Sequence, residues 1–296
     1  MKNTVDGFSA ALRFLKKAYT ADGGEGSGNF GHAGRPGKVG GSAPEGENVE
    51  QPKSSKELLY SNVISNNAKT VIGDAIDKLP AKEQAMLLKA FNNADYQDDI
   101  PDGGRAYYNP RMNRVHIAKD ANPFILAHET IHSFDKDSVD IDRDYYHITS
   151  ASAYLDDLMP TDKIQEDYKT FAKVLGAKLS KEPKYVFDPD SKPLEKFIKW
   201  FRDKGNDNSI SWAALSDIID AGTYGDLKLW QYSGGHEQAY WLRSFGGAMG
   251  STVSQESIAN YCALRLFGRN DILDVLKEAL PNRAAALEKV YQEMLK

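Results

Sequence analysis

Residues 128–132 read His-Glu-Thr-Ile-His. On a helix, positions i and i+4 lie one turn apart on the same face, so the imidazoles of His128 and His132 can reach one tetrahedral ion. Glu129 leaves the helix beside them, where its carboxylate can take a proton from a metal-bound water. The chemistry implied is hydrolysis by a metal-activated water, and Zn²⁺ suits a site of imidazole nitrogens and carboxylate oxygens. Two histidines do not complete a site. No histidine follows at the short spacing of an H-x-x-G-x-x-H continuation, so the third ligand is expected from a carboxylate on a later helix. Residues 255–264 read QESIANYCAL, in which Glu256 opens a helix and the small Ala259 and Ala263 allow close approach to the metal helix. A glutamate in a first helical turn is also favourable in itself, so a plain first-turn acid remains the other reading of Glu256. Asp135, three positions after His132, either orients a ligand or is an acid at the helix end. His116 and His147 have no ligand-like spacing and read as strand and loop residues, and Cys262 reads as core.

The elements that must hold these residues follow from pattern and punctuation. Asn122-Pro123 is a helix start, with proline in the first turn, and predicts a helix over 123–134. Phe124, Ile125, Leu126 and Ile131 give it apolar flanks. Upstream, 68–79 and 81–92 read as helices separated by Pro80. Residues 105–108 and 114–118 read as short strands joined by a turn at 109–113. Further helical patterns cover 164–179, 194–204, 212–221, 255–267, 272–280 and 283–295. The expected class is α+β, mainly helical, with a small sheet beside the His-Glu-x-x-His helix.

Residues 22–55 are rich in Gly, Ser and Pro and nearly free of aliphatic side chains, a composition that buries too little surface to offset ordering entropy. The expected division is a flexible leader over 1–56, with a short amphipathic helix on Phe8, Leu12 and Leu15, followed by one domain over 57–296. A net charge of −5 provides no general attraction to nucleic acid or anionic lipid. The single cysteine excludes an intramolecular disulfide framework. No stretch reaches the roughly 20 apolar residues of a membrane span, and the N-terminus lacks the apolar run of a signal peptide, so the expectation is a soluble protein.

Two sets of residues carry a resemblance. The glycine-rich run at 24–42, GEGSGNFGHAGRPGKVGGS, resembles a sequence that recurs in tailed-phage head and portal-associated proteins. His128-Glu129-x-x-His132 with the later Glu256-x-x-Ala259-x-x-x-Ala263 helix resembles the gluzincin group of zinc peptidases. Within that group it is similar to domains related to the anthrax lethal factor protease, and to metallopeptidase domains of phage head-morphogenesis proteins. That similarity rests on HETIHSFD at 128–135, on Gly235-His236-Glu237-Gln238-Ala239-Tyr240-Trp241 preceded by Leu215-Ser216-Asp217-Ile218-Ile219, and on the Glu256 helix. It departs from compact members of the group in spacing, since Glu256 lies 124 positions beyond His132 (256 − 132).

The resemblance implies a zincin-like zinc metalloendopeptidase with His128, His132 and Glu256 on the metal and Glu129 as base. It also implies that His236 or Tyr240 donates to the oxyanion formed during attack. The partner expected is a protein or peptide substrate. The setting implied is phage or prophage, either head maturation or a delivered toxin, in the virion or the host cytoplasm. The alternative it leaves is a head-assembly structural protein whose zinc site has no turnover.

Overall fold

The computed structural model describes residues 54–59, 61, 63–101, 104–118, 120–181, 187–188, 190–205, 210–223, 227, 229, 236, 238–241 and 250–296. The expected leader helix and almost all of the glycine-rich segment lie outside the described residues. The expected boundary between 56 and 57 runs through a short helix, α1 (Ser55–Leu58). Ser54 and Glu57 form a reciprocal capping box at its start, and the Ser55 N–H donates to Asp77 Oδ1 at 3.0 Å. The chain therefore docks from Ser54 onward.

Two helices, α2 (Asn66–Ile76) and α3 (Ala81–Asn93), precede a three-stranded sheet. Its strands are β1 (Asp95–Ile100), β2 (Tyr107–Asn109) and β3 (Arg114–Ala118), in the order β1-β3-β2. Central β3 pairs parallel with β1 and antiparallel with β2, with Tyr108 opposite Val115. The sequence pattern had no strand at β1 and began β2 two residues early. In β1 only Tyr96 and Ile100 are apolar, so period-2 alternation is weak. Its place comes from the ladder and from Arg114, which bonds Asp95 and Gln97 across the strands.

The helix α4 (Pro123–Phe134) packs on this sheet and carries the His-Glu-x-x-His residues. Asn122 caps it, its side chain accepting from the Phe124 N–H at 2.8 Å, with Pro123 in the first turn. A 3₁₀ turn (Asp135–Asp137) and a hairpin of β4 (Ile141–Asp142) and β5 (His147–Ile148) lead to α5 (Ala151–Leu158) and α6 (Thr161–Leu175). Helix α6 stops four residues short of the expected 179 because Gly176 takes a left-handed conformation (φ 68°) and closes the helix end.

Then follow α7 (Lys192–Gly205), α8 (Ile210–Gly222), α9 (Gln238–Trp241), α10 (Thr252–Leu266), α11 (Asn270–Ala279) and α12 (Pro281–Met294). The protein is mainly helical with a small sheet, as the pattern predicts. Helix α10 is its axis: it is buried along nearly its whole length and packs against α4, α5, α8, α11 and α12. Most of its buried positions are apolar or small, and Glu256 and Asn260 are the buried charged and amide side chains among them. Ala259 and Ala263 are fully buried where α10 runs against its neighbours.

Candidate metal centre and its cleft

Helix α10 begins earlier than the pattern predicts. Ser251 is its cap, accepting from the Ser254 N–H, so Glu256 lies beyond the first turn and is 2% exposed. The reading of Glu256 as a plain first-turn acid therefore fails. Its carboxylate points at α4. Glu256 Oε2 stands 3.1 Å from His128 Nε2, and Oε1 stands 3.4 Å from His132 Nε2. The two Nε2 atoms are 3.0 Å apart. Ligand atoms on a tetrahedral zinc at bond lengths of about 2.0–2.1 Å are separated by roughly 3.3–3.4 Å, so this triangle is close to the edges of such a polyhedron.

Three further observations bear on whether these residues fit a metal. Glu256 Oε2 is buried and has no hydrogen-bond partner, which is costly for a carboxylate oxygen unless a cation meets it. The Nδ1 of His128 is 3.0 Å from Asn260 Oδ1, one turn along α10 from Glu256. An amide oxygen there takes the Nδ1–H and leaves Nε2 with its lone pair directed at the other two ligands, the tautomer a metal needs. Finally, burial opposes a charge on His132, yet Glu256 beside it outweighs that effect and lifts its pKa to about 9. Burial likewise acts to raise Glu256, but the two histidines hold its carboxyl well below the usual range. The pocket therefore favours a positive charge between the imidazoles and the carboxylate, and the chemistry and spacing of His128, His132 and Glu256 fit a divalent metal ion.

Glu129 brings a carboxylate oxygen to within 4.8 Å of the histidine ligand atoms. Its Oε2 accepts from the backbone N–H of Tyr108 on β2 at 2.9 Å. It also lines a cleft of about 450 Å³ together with Arg105, Tyr107, Tyr108, His132, His236, Tyr240 and Glu256. His236 and Tyr240 enter this lining from the segment before α10. The two are not on one continuous helix, since α9 starts after His236, but their rings stack at 3.9 Å. The Tyr240 hydroxyl donates to Glu256 Oε1. Trp241 is buried and its indole N–H donates to the His236 carbonyl at 3.1 Å.

Burial raises the pKa of Tyr240 and the charges of Glu256 and Glu129 raise it further, so its hydroxyl keeps its proton. Burial works against a charged His236, but Asp217 and Glu256 outweigh it and the net shift is upward. Asp217 on α8 accepts from the His236 backbone N–H at 3.2 Å and stands 3.5 Å from its Nδ1. Asp217, His236 and Glu256 also bring one ligand atom each within 4.8 Å of one another. The bond from the His236 backbone makes Asp217 a support for His236 in this cluster.

Asp135 closes the end of α4 as a buried acid, and its charge acts on His132 while its hydrogen bonds go elsewhere. It is 1% exposed, and it accepts from the Ser152 N–H at 2.8 Å and from the hydroxyls of Ser150 and Ser152. Ser152 Oγ in turn accepts from the Gly250 N–H at 3.0 Å. Gly250 lies so close to Ser152 that an added Cβ would come within 2.3 Å of its backbone. This chain of bonds ties the end of α4 to the start of α10 and so fixes the distance between His132 and Glu256. Asp156 of α5 completes the joint by accepting from the Ser251 N–H, Ser251 Oγ and Ser254 Oγ.

His116 lies buried on β3 against Asp99 with its ring stacked on Tyr107, and His147 is on β5 between Asp140 and Asp142. Cys262 is buried, and burial pushes its thiol pKa up.

Asn260, Asp217 and the Tyr108 amide are the site groups to which the sequence reading gave no role. Asn260 was legible in principle, being four residues after Glu256 on the same helix. The other two depend on tertiary register. Among the described residues, no helix is long and apolar enough to cross a membrane. No family model, no curated protein and no solved structure matches this chain.

Proposed function

We propose that this protein is a zinc-dependent endopeptidase of zincin-like build with a gluzincin ligand set. The observation that carries the reading is the meeting of His128 Nε2, His132 Nε2 and the Glu256 carboxylate at the wall of a cleft that Glu129 also lines. His128, His132 and Glu256 would hold the ion. A bound Zn²⁺ would supply Lewis acidity toward a carbonyl oxygen and acidity to a water.

The remaining steps belong to the chain. Glu129 takes a proton from water as its oxygen bonds to the scissile carbonyl carbon, then passes that proton to the amine nitrogen as the C–N bond breaks. His236, supported by Asp217, and Tyr240, once its hydroxyl turns from Glu256 Oε1, donate hydrogen bonds to the oxygen that gains charge during attack. The cleft has the volume for a peptide segment, and its aromatic wall (Tyr107, Tyr108 and Tyr240) gives side chains apolar surface to bury. The glycine-rich run at 24–42 supports a phage or prophage setting, in which the substrate is a head protein during maturation or a host protein met by a delivered toxin.

The test is proteolysis of casein by the zinc-loaded protein and by its Glu129→Gln variant. The variant keeps its zinc and loses about 10²–10⁴-fold in turnover, the contribution of a positioned base. Activity that persists in Glu129→Gln defeats the mechanism. A parent that binds zinc and cleaves no protein supports the structural alternative, a zinc site without turnover.

A further inference from the structure

Glu129 is the one member of the centre whose side chain must be held by something other than the metal. Its partner is the Tyr108 backbone N–H, at 2.9 Å from Oε2. The bond follows from the place of β2 in the sheet. Among the described residues β2 lies at an edge of the sheet and pairs only with β3, so alternate N–H groups along it point away from the ladder. That of Tyr108 points at α4. The sheet is docked there by a second bond, in which the Tyr96 hydroxyl donates to Thr130 Oγ1 at 2.9 Å, while Thr130 Oγ1 donates to the Leu126 carbonyl. Two consecutive residues of α4, Glu129 and Thr130, are thus tethered to the two outer strands of the sheet. The Tyr108 ring lies nearly parallel to that of His132, with centroids 6.2 Å apart.

We propose that the Tyr108 amide is the positioning group for the catalytic base: it holds one oxygen of Glu129 and leaves the other to accept the proton of the attacking water. This rests on the peptidase reading above. A glutamate side chain has several rotatable bonds, and an untethered one samples positions from which it cannot reach the water. Charge-assisted bonds of this type are the stronger class, so one N–H suffices to select a rotamer. Because the donor is main chain, no side chain in the sequence announces it.

Two measurements test the proposal. In the first, amide hydrogen exchange is followed by NMR in the metal-free protein. The Tyr108 amide, on the free side of an edge strand, is expected to be protected and to lose roughly tenfold or more of that protection in Glu129→Ala, while the amides of the β1–β3 ladder do not change. Equal exchange of the Tyr108 amide in parent and variant overturns the proposal. In the second, residue 108 is incorporated as the α-hydroxy analogue of tyrosine, which replaces the N–H by an ester oxygen and keeps the ring. Zinc content and KM are expected to hold while kcat falls roughly 10–100-fold, the effect of a misplaced catalytic group. An ester-containing enzyme with the parent's kcat overturns it as well. A parent with no proteolysis would overturn the peptidase reading and the catalytic role with it, and the exchange experiment separates that failure from a failure of the contact.

Discussion

Asn260→Ala isolates what the second layer of the centre contributes. In the parent, Asn260 Oδ1 is 3.0 Å from His128 Nδ1 in a buried setting. The substitution deletes a neutral hydrogen bond with a net value of about 0.5–1.5 kcal/mol. It also frees His128 to adopt the tautomer with its proton on Nε2, which cannot bind a metal through that atom, and frees the ring to turn. Together these place the loss near the range seen for outer-layer partners of metal-bound histidines, about 10–100-fold in affinity, or roughly 1.4–2.7 kcal/mol. The fold itself should change little, because Asn260 Nδ2 is already buried without a partner and leaves with the side chain. The assay is zinc competition against a chromophoric chelator at fixed neutral pH, with Glu256→Ala alongside as the loss of a direct ligand. Parent-like affinity in Asn260→Ala would refute the argument that Asn260 sets the tautomer. A loss as large as that of Glu256→Ala would refute it too, by showing that the side chain does more than orient His128.

Two further predictions follow from the same geometry. Asp135→Ala strands the Ser152 N–H and two serine hydroxyls in a buried joint, and should destabilise the protein by on the order of 3 kcal/mol while weakening zinc binding, since the start of α10 loosens; an unchanged denaturant midpoint would contradict this. The centre should also be pH-dependent. Binding zinc removes the proton from His132, so affinity should rise by about tenfold per pH unit as pH climbs from the ordinary histidine value of 6.5 toward about 9, with one proton released per ion. The sign for stability is opposite in the metal-free form. A histidine pKa raised by folding contributes stability that is complete below 6.5 and lost as pH rises through about 9. The gap in Tm between zinc-loaded and metal-free protein should therefore widen over that range, and a constant gap would count against the shift.

What could be read from sequence was what local chemistry encodes. Asn122-Pro123 marked the start of the helix that carries His128, Glu129 and His132, and the cap held where placed. The small residues at 259 and 263 marked a helix that packs tightly, and Glu256 on it faces the histidines despite a separation of 124 positions from His132. The errors arose where tertiary structure decides. Strand β1 is nearly all polar and exists through pairing with β3. Helix α5 was missed because eight residues carry too little periodicity, although its serines and Asp156 turn out to join α4 to α10. Asp135 could not be assigned because both its options were local, whereas its partners lie 15 and 17 residues away.

The central claim is that His128, His132 and Glu256 hold one zinc ion and that Glu129 does not. Elemental analysis of purified protein, parent and single variants together, tests it most directly. One zinc per chain is predicted in the parent and in Glu129→Gln, with none retained after dialysis in His128→Ala or His132→Ala and a sharply weakened site in Glu256→Ala. Full zinc in both histidine variants, or loss of zinc in Glu129→Gln with the fold intact, would contradict the account.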